Sequence, residues 1–590
     1  MSHLRSILPY FRPYRRGLAL GMILVVVSNL FTVAGPWLLR LAVDAMDTPG
    51  TTPLHFVGYG AAILVAALLT GISRFGMRAL LNGISRRVEC DIRADFFRRL
   101  TILDADFFGR ERTGDIMSRA THDTLTVRQA AGPAIMYAVN TLVVACFALS
   151  IMAWISPRLT LFVLLPMAVL PPVVLGFGRM IQERFRPVQE QYSALSTFVQ
   201  ENLTGIRIIR SYVQEKDQIR RFELMNRGYL ERNLHLARRE GLLHPLLALI
   251  SGGATLVALG VGAPEVMAGR ITVGDLVAFI FYINLLTWPM ISLGWVVNLF
   301  QRGDVSMGRI LEILESTPAI RPGVGDVPPA IHGHLVFRDV RFRYPGAERD
   351  ALRGISFSVK PGETVAIVGA TGSGKSTLVS LIPRIHDPTS GEILLDGRPL
   401  GECDPLAVRR AIGFVPQDAF LFSDTIGRNI GMGVLVAAGG ENFTVDEGRI
   451  ERSARAAHLH DQILELPNGY QTRLGERGIN LSGGQKQRAT LARALARDPE
   501  ILILDDAMSA VDTETEAGIL RELRSHSRDR TTFLISHRIG AITHADRILV
   551  LDGGELVEEG RHDELLARGG VYARLLDRQR IEEESTPWLS

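Results

Sequence analysis

The segment Val365–Ile382, VAIVGATGSGKSTLVSLI, decides the fold class of this 590-residue chain. Val365–Val368 form a short apolar run that suits a buried strand. Gly369 to Ser376 then match the spacing GxxxxGKS, and the residues after them begin a helix. Strand, glycine-rich turn and helix in that order predict a parallel α/β sheet with a phosphate cradle at a strand's carboxyl end. The backbone N–H groups of Gly369, Ala370, Thr371, Gly372, Ser373 and Gly374 can approach phosphates closely because glycine has no Cβ. Lys375 has the reach for the outer phosphates. The Ser376 hydroxyl, followed by Thr377, suits Mg²⁺.

Two further stretches fit the same chemistry. Ile501–Asp512, ILILDDAMSAVD, is an apolar strand that delivers Asp505 to its end, where a Mg²⁺-binding carboxylate belongs. The next residue is Asp506, shorter than the long-armed general base expected there. Asn480–Asp498, NLSGGQKQRATLARALARD, sets Ser482, Gly483, Gly484 and Gln485 at the mouth of a helix, a second place for an anion. Two phosphate-binding helix starts but one glycine-rich loop argue for a dimer, each cradle meeting the other chain's helix cap.

Apolar residues make up 47% of the chain and charged residues 22%, with a net charge of +3. That charge is too small to argue for nucleic acid, and no aromatic-basic RNA motif or zinc spacing is present. Six stretches before residue 320 are apolar enough to span a membrane: 18–43, 56–80, 131–155, 158–181, 242–268 and 276–300. The first is too long for a signal-peptide core and is read as a retained span. Before it, LRSILPYFRPYRRG reads as an interfacial helix. Arginines crowd the segments after spans two and four, from Arg86 to Arg119 and from Arg184 to Arg221, whereas Arg158 and Arg270 are the basic residues of the opposite loops. The positive-inside rule therefore puts both termini and both long loops in the cytoplasm. Those loops have helical apolar periodicity and should extend the membrane helices outward. Cys90, Cys146 and Cys403 form no CxxC pattern and read as unpaired thiols.

With these motifs in order, the chain resembles a half-transporter of the ATP-binding cassette (ABC) exporter family, whose members include multidrug and lipid exporters, along nearly its whole length. The fold this implies is multi-domain: a six-helix, all-α transmembrane domain at 1–320, a linker at 321–332, an α/β P-loop nucleotide-binding domain at 333–580 and a tail at 581–590. The resemblance implies roles at matching positions. Tyr344 in FRYPG would stack on adenine, and Gln417 in FVPQD would sense Mg²⁺. Ser482, Gly483, Gly484 and Gln485 would meet the partner's ATP. Asp512 would cross the dimer interface, and His537 in ISHR would contact the γ-phosphate. Short coupling helices are implied near 106–112, DFFGRER, and 211–218, SYVQEKDQ.

Asp506 departs from the family pattern, which has glutamate there. One methylene fewer leaves the carboxylate short of the attacking water, so the chain's own ATP site is expected to be slow or inactive. Its LSGGQ stretch is intact and can complete a partner's site. The expectation is a heterodimer with a second half-transporter that keeps the catalytic glutamate. GERGINLSGGQKQR and LDDAMSAVD resemble most the MdlA-type half of asymmetric bacterial exporters, which implies the bacterial inner membrane. A homodimer with modest turnover, an importer of, for instance, a metal chelate on the exporter fold, and a non-transporting sensor ATPase are the alternatives. The mostly uncharged spans suit a small amphipathic substrate. Trp288, Trp295, Asn284 and Asn298 are candidate cavity residues, while Arg74 and Arg78 suit either an anionic headgroup or snorkelling to the interface.

Overall fold

Continuous runs of helix-forming apolar residues produce six helices long and apolar enough to cross a membrane: His3–Asp44, Pro53–Leu100, Thr113–Ile155, Pro157–Thr204, Glu215–Met267 and Val273–Glu315. The computed structural model describes residues 2–434, 446–475, 478–525 and 530–584. These fall into two compact units, one of Met1–Leu100 with Gly114–Ser316, the other of Thr101–Thr113 with Thr317–Ser590. The longest helix has 53 residues, about 80 Å at 1.5 Å per residue, far beyond a hydrocarbon core of about 30 Å. Its membrane-level hydropathy is confined to part of that length.

Within the membrane unit the apolar core includes Met152, Leu159, Met167, Phe279, Tyr282 and Leu286. Pro9 and Pro13 interrupt the N-terminal segment, which runs as short turns before the helix Arg15–Asp44 begins. Tyr10 and Tyr14 tie these turns to Asp95 and Asp91. Buried charge is paired: Arg119 reaches Asp115 at 2.7 Å and Glu312 at 2.9 Å, and Arg309 reaches Asp123 at 3.0 Å. On this frame Trp288 and Trp295 are exposed.

Two short helices interrupt the long ones. Ala105–Arg110 is capped by Asp104, whose carboxylate accepts from Phe107 N at 3.1 Å. The second spans Ile206–Ser211, ahead of the 211–218 that the family resemblance implied. Gly205 ends the preceding helix, and Val213 takes a left-handed φ of 53° in the turn before Glu215. Glu215 and Asp217 then start the next helix, where carboxylates favour the N-terminal dipole.

The second unit is built on two sheets. The antiparallel one orders β2-β1-β4-β5, from β1 (Leu335–Phe342), β2 (Leu352–Val359), β4 (Ser390–Leu395) and β5 (Arg398–Pro399). The other orders β10-β9-β3-β8-β7-β6, from β3 (Thr364–Gly369), β6 (Ile412–Val415), β7 (Ile501–Asp505), β8 (Thr531–Ile535), β9 (Arg547–Asp552) and β10 (Glu555–Gly560). Strands β9, β3, β8, β7 and β6 are parallel, with β10 antiparallel at the edge. β7 and β8 are buried throughout, as expected of a parallel sheet covered on both faces. The C-terminal helix Val571–Glu584 runs past the point where the tail was expected to begin, and residues 585–590 lie outside the described residues.

Candidate nucleotide site

The parallel strands end together, so Gly369 on β3, Asp505 on β7 and the residues after Ile535 on β8 come to one edge of the sheet. β8 stands between β3 and β7. The loop after Gly369 spans that gap, and the Ser376 hydroxyl donates to Asp505 Oδ1 at 3.0 Å across 129 positions of sequence. This is the central contact of the site.

The loop's path requires glycine at two points. Gly369 packs so closely that a Cβ would strike the Leu551 carbonyl. Gly374, at φ 98°, caps the helix Lys375–Leu381, and a Cβ there would lie 2.8 Å from the Ala351 carbonyl. Lys375 is buried and donates to the carbonyls of Gly369 and Ala370, each at 2.9 Å. Burial pushes its ammonium pKa down, while Asp505 and Asp506 pull it up. Asp505 is pushed above the usual carboxylate range, chiefly by burial and secondarily by Asp506, against the Ser376 hydrogen bond, Lys375 and His537. Burial is thus the largest influence on both charged groups, with Lys375 and Asp505 each favouring the other's charged form.

Three features fit a polyphosphate with a divalent cation. The buried Ser373 hydroxyl has no hydrogen-bond partner among the described residues. Ser376 and Asp505 present hard oxygen donors side by side. A cavity of about 250 Å³ is lined by Gly369, Ala370, Thr371, Ser536 and His537 together with Tyr572, Leu575 and Leu576 of the C-terminal helix. Tyr344, 40% exposed, stands outside that cavity's lining, with its hydroxyl 3.0 Å from Thr377 Oγ1. Its ring stands edge-on to Phe342 at 4.8 Å, leaving surface for a flat base.

Asp506 follows directly after β7 at a left-handed φ of 47°, its N–H donating to the Ile535 carbonyl at 3.0 Å. Gln417 is exposed just beyond β6. Ser482, Gly483, Gly484 and Gln485 are not drawn into the P-loop. Ser482 and Gln485 cap each other in a reciprocal box at the start of Gly483–Ala496, and Gln485 also reaches Gln462. Gly484 packs against Ala510, where a Cβ would meet the carbonyl at 2.6 Å. Asp512 uses its carboxylate to cap Thr515 N at 2.8 Å.

Two residues that sequence reading passed over hold the loop 509–512. Gln487 donates to Ser509 Oγ at 2.8 Å and accepts from Ala510 N at 2.8 Å. Arg538 donates to the carbonyls of Val511 at 2.6 Å and Ser509 at 3.0 Å, and pairs with the buried Glu516. Both sit inside stretches already singled out, Gln487 in NLSGGQKQR and Arg538 in ISHR.

Residues 18–290 match the family described as ABC transporter transmembrane region, and residues 352–509 match ABC transporter. The Multidrug resistance-like ATP-binding protein MdlA of Escherichia coli is 38% identical over 575 residues, covering 97% of this chain and 96% of that protein. The Probable multidrug resistance ABC transporter ATP-binding/permease protein YheI of Bacillus subtilis is 36% identical, covering 97% of each. Among solved structures, a bacterial Atm1-family ABC exporter with ATP bound matches at a TM-score of 0.77 and 30% identity, covering 96% of this chain and 98% of that one.

Proposed function

We propose, from the premise that this chain belongs to the ABC transporter family as a fused membrane and ATP-binding half, that it drives export of small amphipathic compounds from a bacterial inner membrane. The Ser376–Asp505 contact beside buried Lys375, in a chain with six membrane-length helices, carries this reading. The relatives' multidrug names favour that substrate class. The arginine-rich segments favour cytoplasmic placement of both termini and the nucleotide domain.

In this reading Gly369–Ser373 cradle the phosphates, Lys375 binds the outer ones and Tyr344 stacks on adenine. Ser376 and Asp505 would hold Mg²⁺, with Gln417 just beyond β6 sensing it, and the cation would supply charge neutralisation for the phosphates. His537 contacts the γ-phosphate, and Asp506 accepts the proton of the attacking water. Asp506 performs that task poorly, because its carboxylate stops one methylene short and its backbone is tied to Ile535. The intact Ser482–Gln485 cap completes the site of a second half-transporter that has glutamate at the corresponding place.

Inside-out vesicles from native membranes, holding the chain with its partner half-transporter, should accumulate a fluorescent amphipathic dye when ATP is supplied; loss of this chain should stop it, and Lys375→Ala should lower it. Uptake in the opposite direction would favour an importer. Mild-detergent purification from native membranes should recover a distinct half-transporter at equal stoichiometry. Recovery of this chain alone would overturn the heterodimer.

A further inference from the structure

Tyr344 and the helix Ala105–Arg110 meet on one side chain, His386. The His386 ring stands edge-on to Tyr344, with centroids 5.5 Å apart at 83°, and lies 5.2 Å from Phe342. Its Nδ1 is 2.7 Å from Asp106 Oδ1, and its side chain is 13% exposed. At the far end of Tyr344, the hydroxyl meets Thr377. Asp104 anchors the other end of the path, holding Phe107 N and, at 2.7 Å, Ala319 N. All of these residues belong to the same compact unit. Leu100 and Gly114, which flank the 101–113 segment in sequence, belong to the membrane unit.

We propose that His386 is a positioning residue through which helix 105–110 responds to the base of a bound nucleotide rather than to its terminal phosphate. The inference rests on the reading of Tyr344 as the adenine platform. A flat base stacked on Tyr344 restricts the ring's rotation. An edge-to-face pair depends on ring orientation, so His386 is restricted in turn, and with it the hydrogen bond to Asp106. Lys375, Ser376 and Asp505, at the phosphate end, take no part in this path. The response therefore follows occupancy by any adenine nucleotide.

Amide hydrogen exchange over residues 101–113, measured on the full chain in nanodiscs, tests this, with binding followed by displacement of a fluorescent ATP analogue. Mg-ATP and Mg-ADP should slow exchange in 105–110 equally, by about threefold or more. Tripolyphosphate, at concentrations that displace the analogue, should leave exchange unchanged. His386→Ala and Asp106→Ala should both abolish the slowing, and Asp106→Ala should still bind Mg-ATP. Slowing that requires the γ-phosphate, appears with tripolyphosphate or survives in both variants would overturn the inference. Binding of ATP without any slowing would overturn the inference alone. Failure of ATP to displace the analogue would overturn the nucleotide reading as well.

Discussion

Replacing Asp506 by glutamate isolates the reach of the general base. The added methylene extends the carboxylate by about 1.3 Å along an extended side chain. The backbone cannot supply the same advance in the native chain. Asp506 N is held by Ile535 O at 3.0 Å, and the following loop is pinned by Arg538 to the carbonyls of Ser509 and Val511. A misplacement of about 1 Å costs roughly 10²-fold in rate, or about 2.7 kcal/mol of barrier. Asp506→Glu should therefore raise hydrolysis at the chain's own site by about two orders of magnitude. An opposing term comes from the left-handed φ of 47°, where aspartate is tolerated better than glutamate, at a folding cost of about 1 kcal/mol. The two effects separate experimentally: single-turnover hydrolysis reports the first and thermal unfolding the second. A gain below about threefold, together with loss of existing turnover in Asp506→Asn, would refute the reasoning and make Asp506 a working base.

Arg538→Gln should destabilise the nucleotide domain by about 2–3 kcal/mol, because it strands the buried Glu516 carboxylate and releases two loop carbonyls; adding Glu516→Gln should recover much of that in thermal unfolding. Asp505→Asn should behave oppositely in the two states of the site. Since burial raises the folded pKa of Asp505 above its ordinary 3.8, the stability it lends is complete below about that pH and lost as pH rises through the folded value. The neutral amide should thus stabilise the nucleotide-free chain at neutral pH, flatten its stability-against-pH slope and remove the thermal shift given by Mg-ATP. Gly484→Ala should push its Cβ onto the Ala510 carbonyl, 2.6 Å away. Its cost should be about 1–3 kcal/mol in melting experiments, with lower turnover in the assembled transporter but retained Mg-ATP binding at Lys375.

The sequence by itself determined what is written in consecutive residues. The membrane helices follow from apolar runs longer than a bilayer requires. The strand–loop–helix around Lys375, the strand-end Asp505 and the Ser482 helix cap are each local grammar, with donor and acceptor a few positions apart. Tertiary structure decided what lies between distant segments. Val365–Val368, Ile501–Leu504 and Thr531–Ile535 are all buried strands, and a strand covered on both faces has no periodicity to announce its neighbours. Only the fold inserts β8 between β3 and β7 and brings Ser376 to Asp505. The second short helix begins at Ile206, ahead of the stretch that the family resemblance implied, because Gly205 ends the helix before it. Asp106 and His386 stand 280 positions apart and meet within one unit. A polar side chain does not record its partner in its own neighbourhood. The partner is set by how the apolar surfaces around it close.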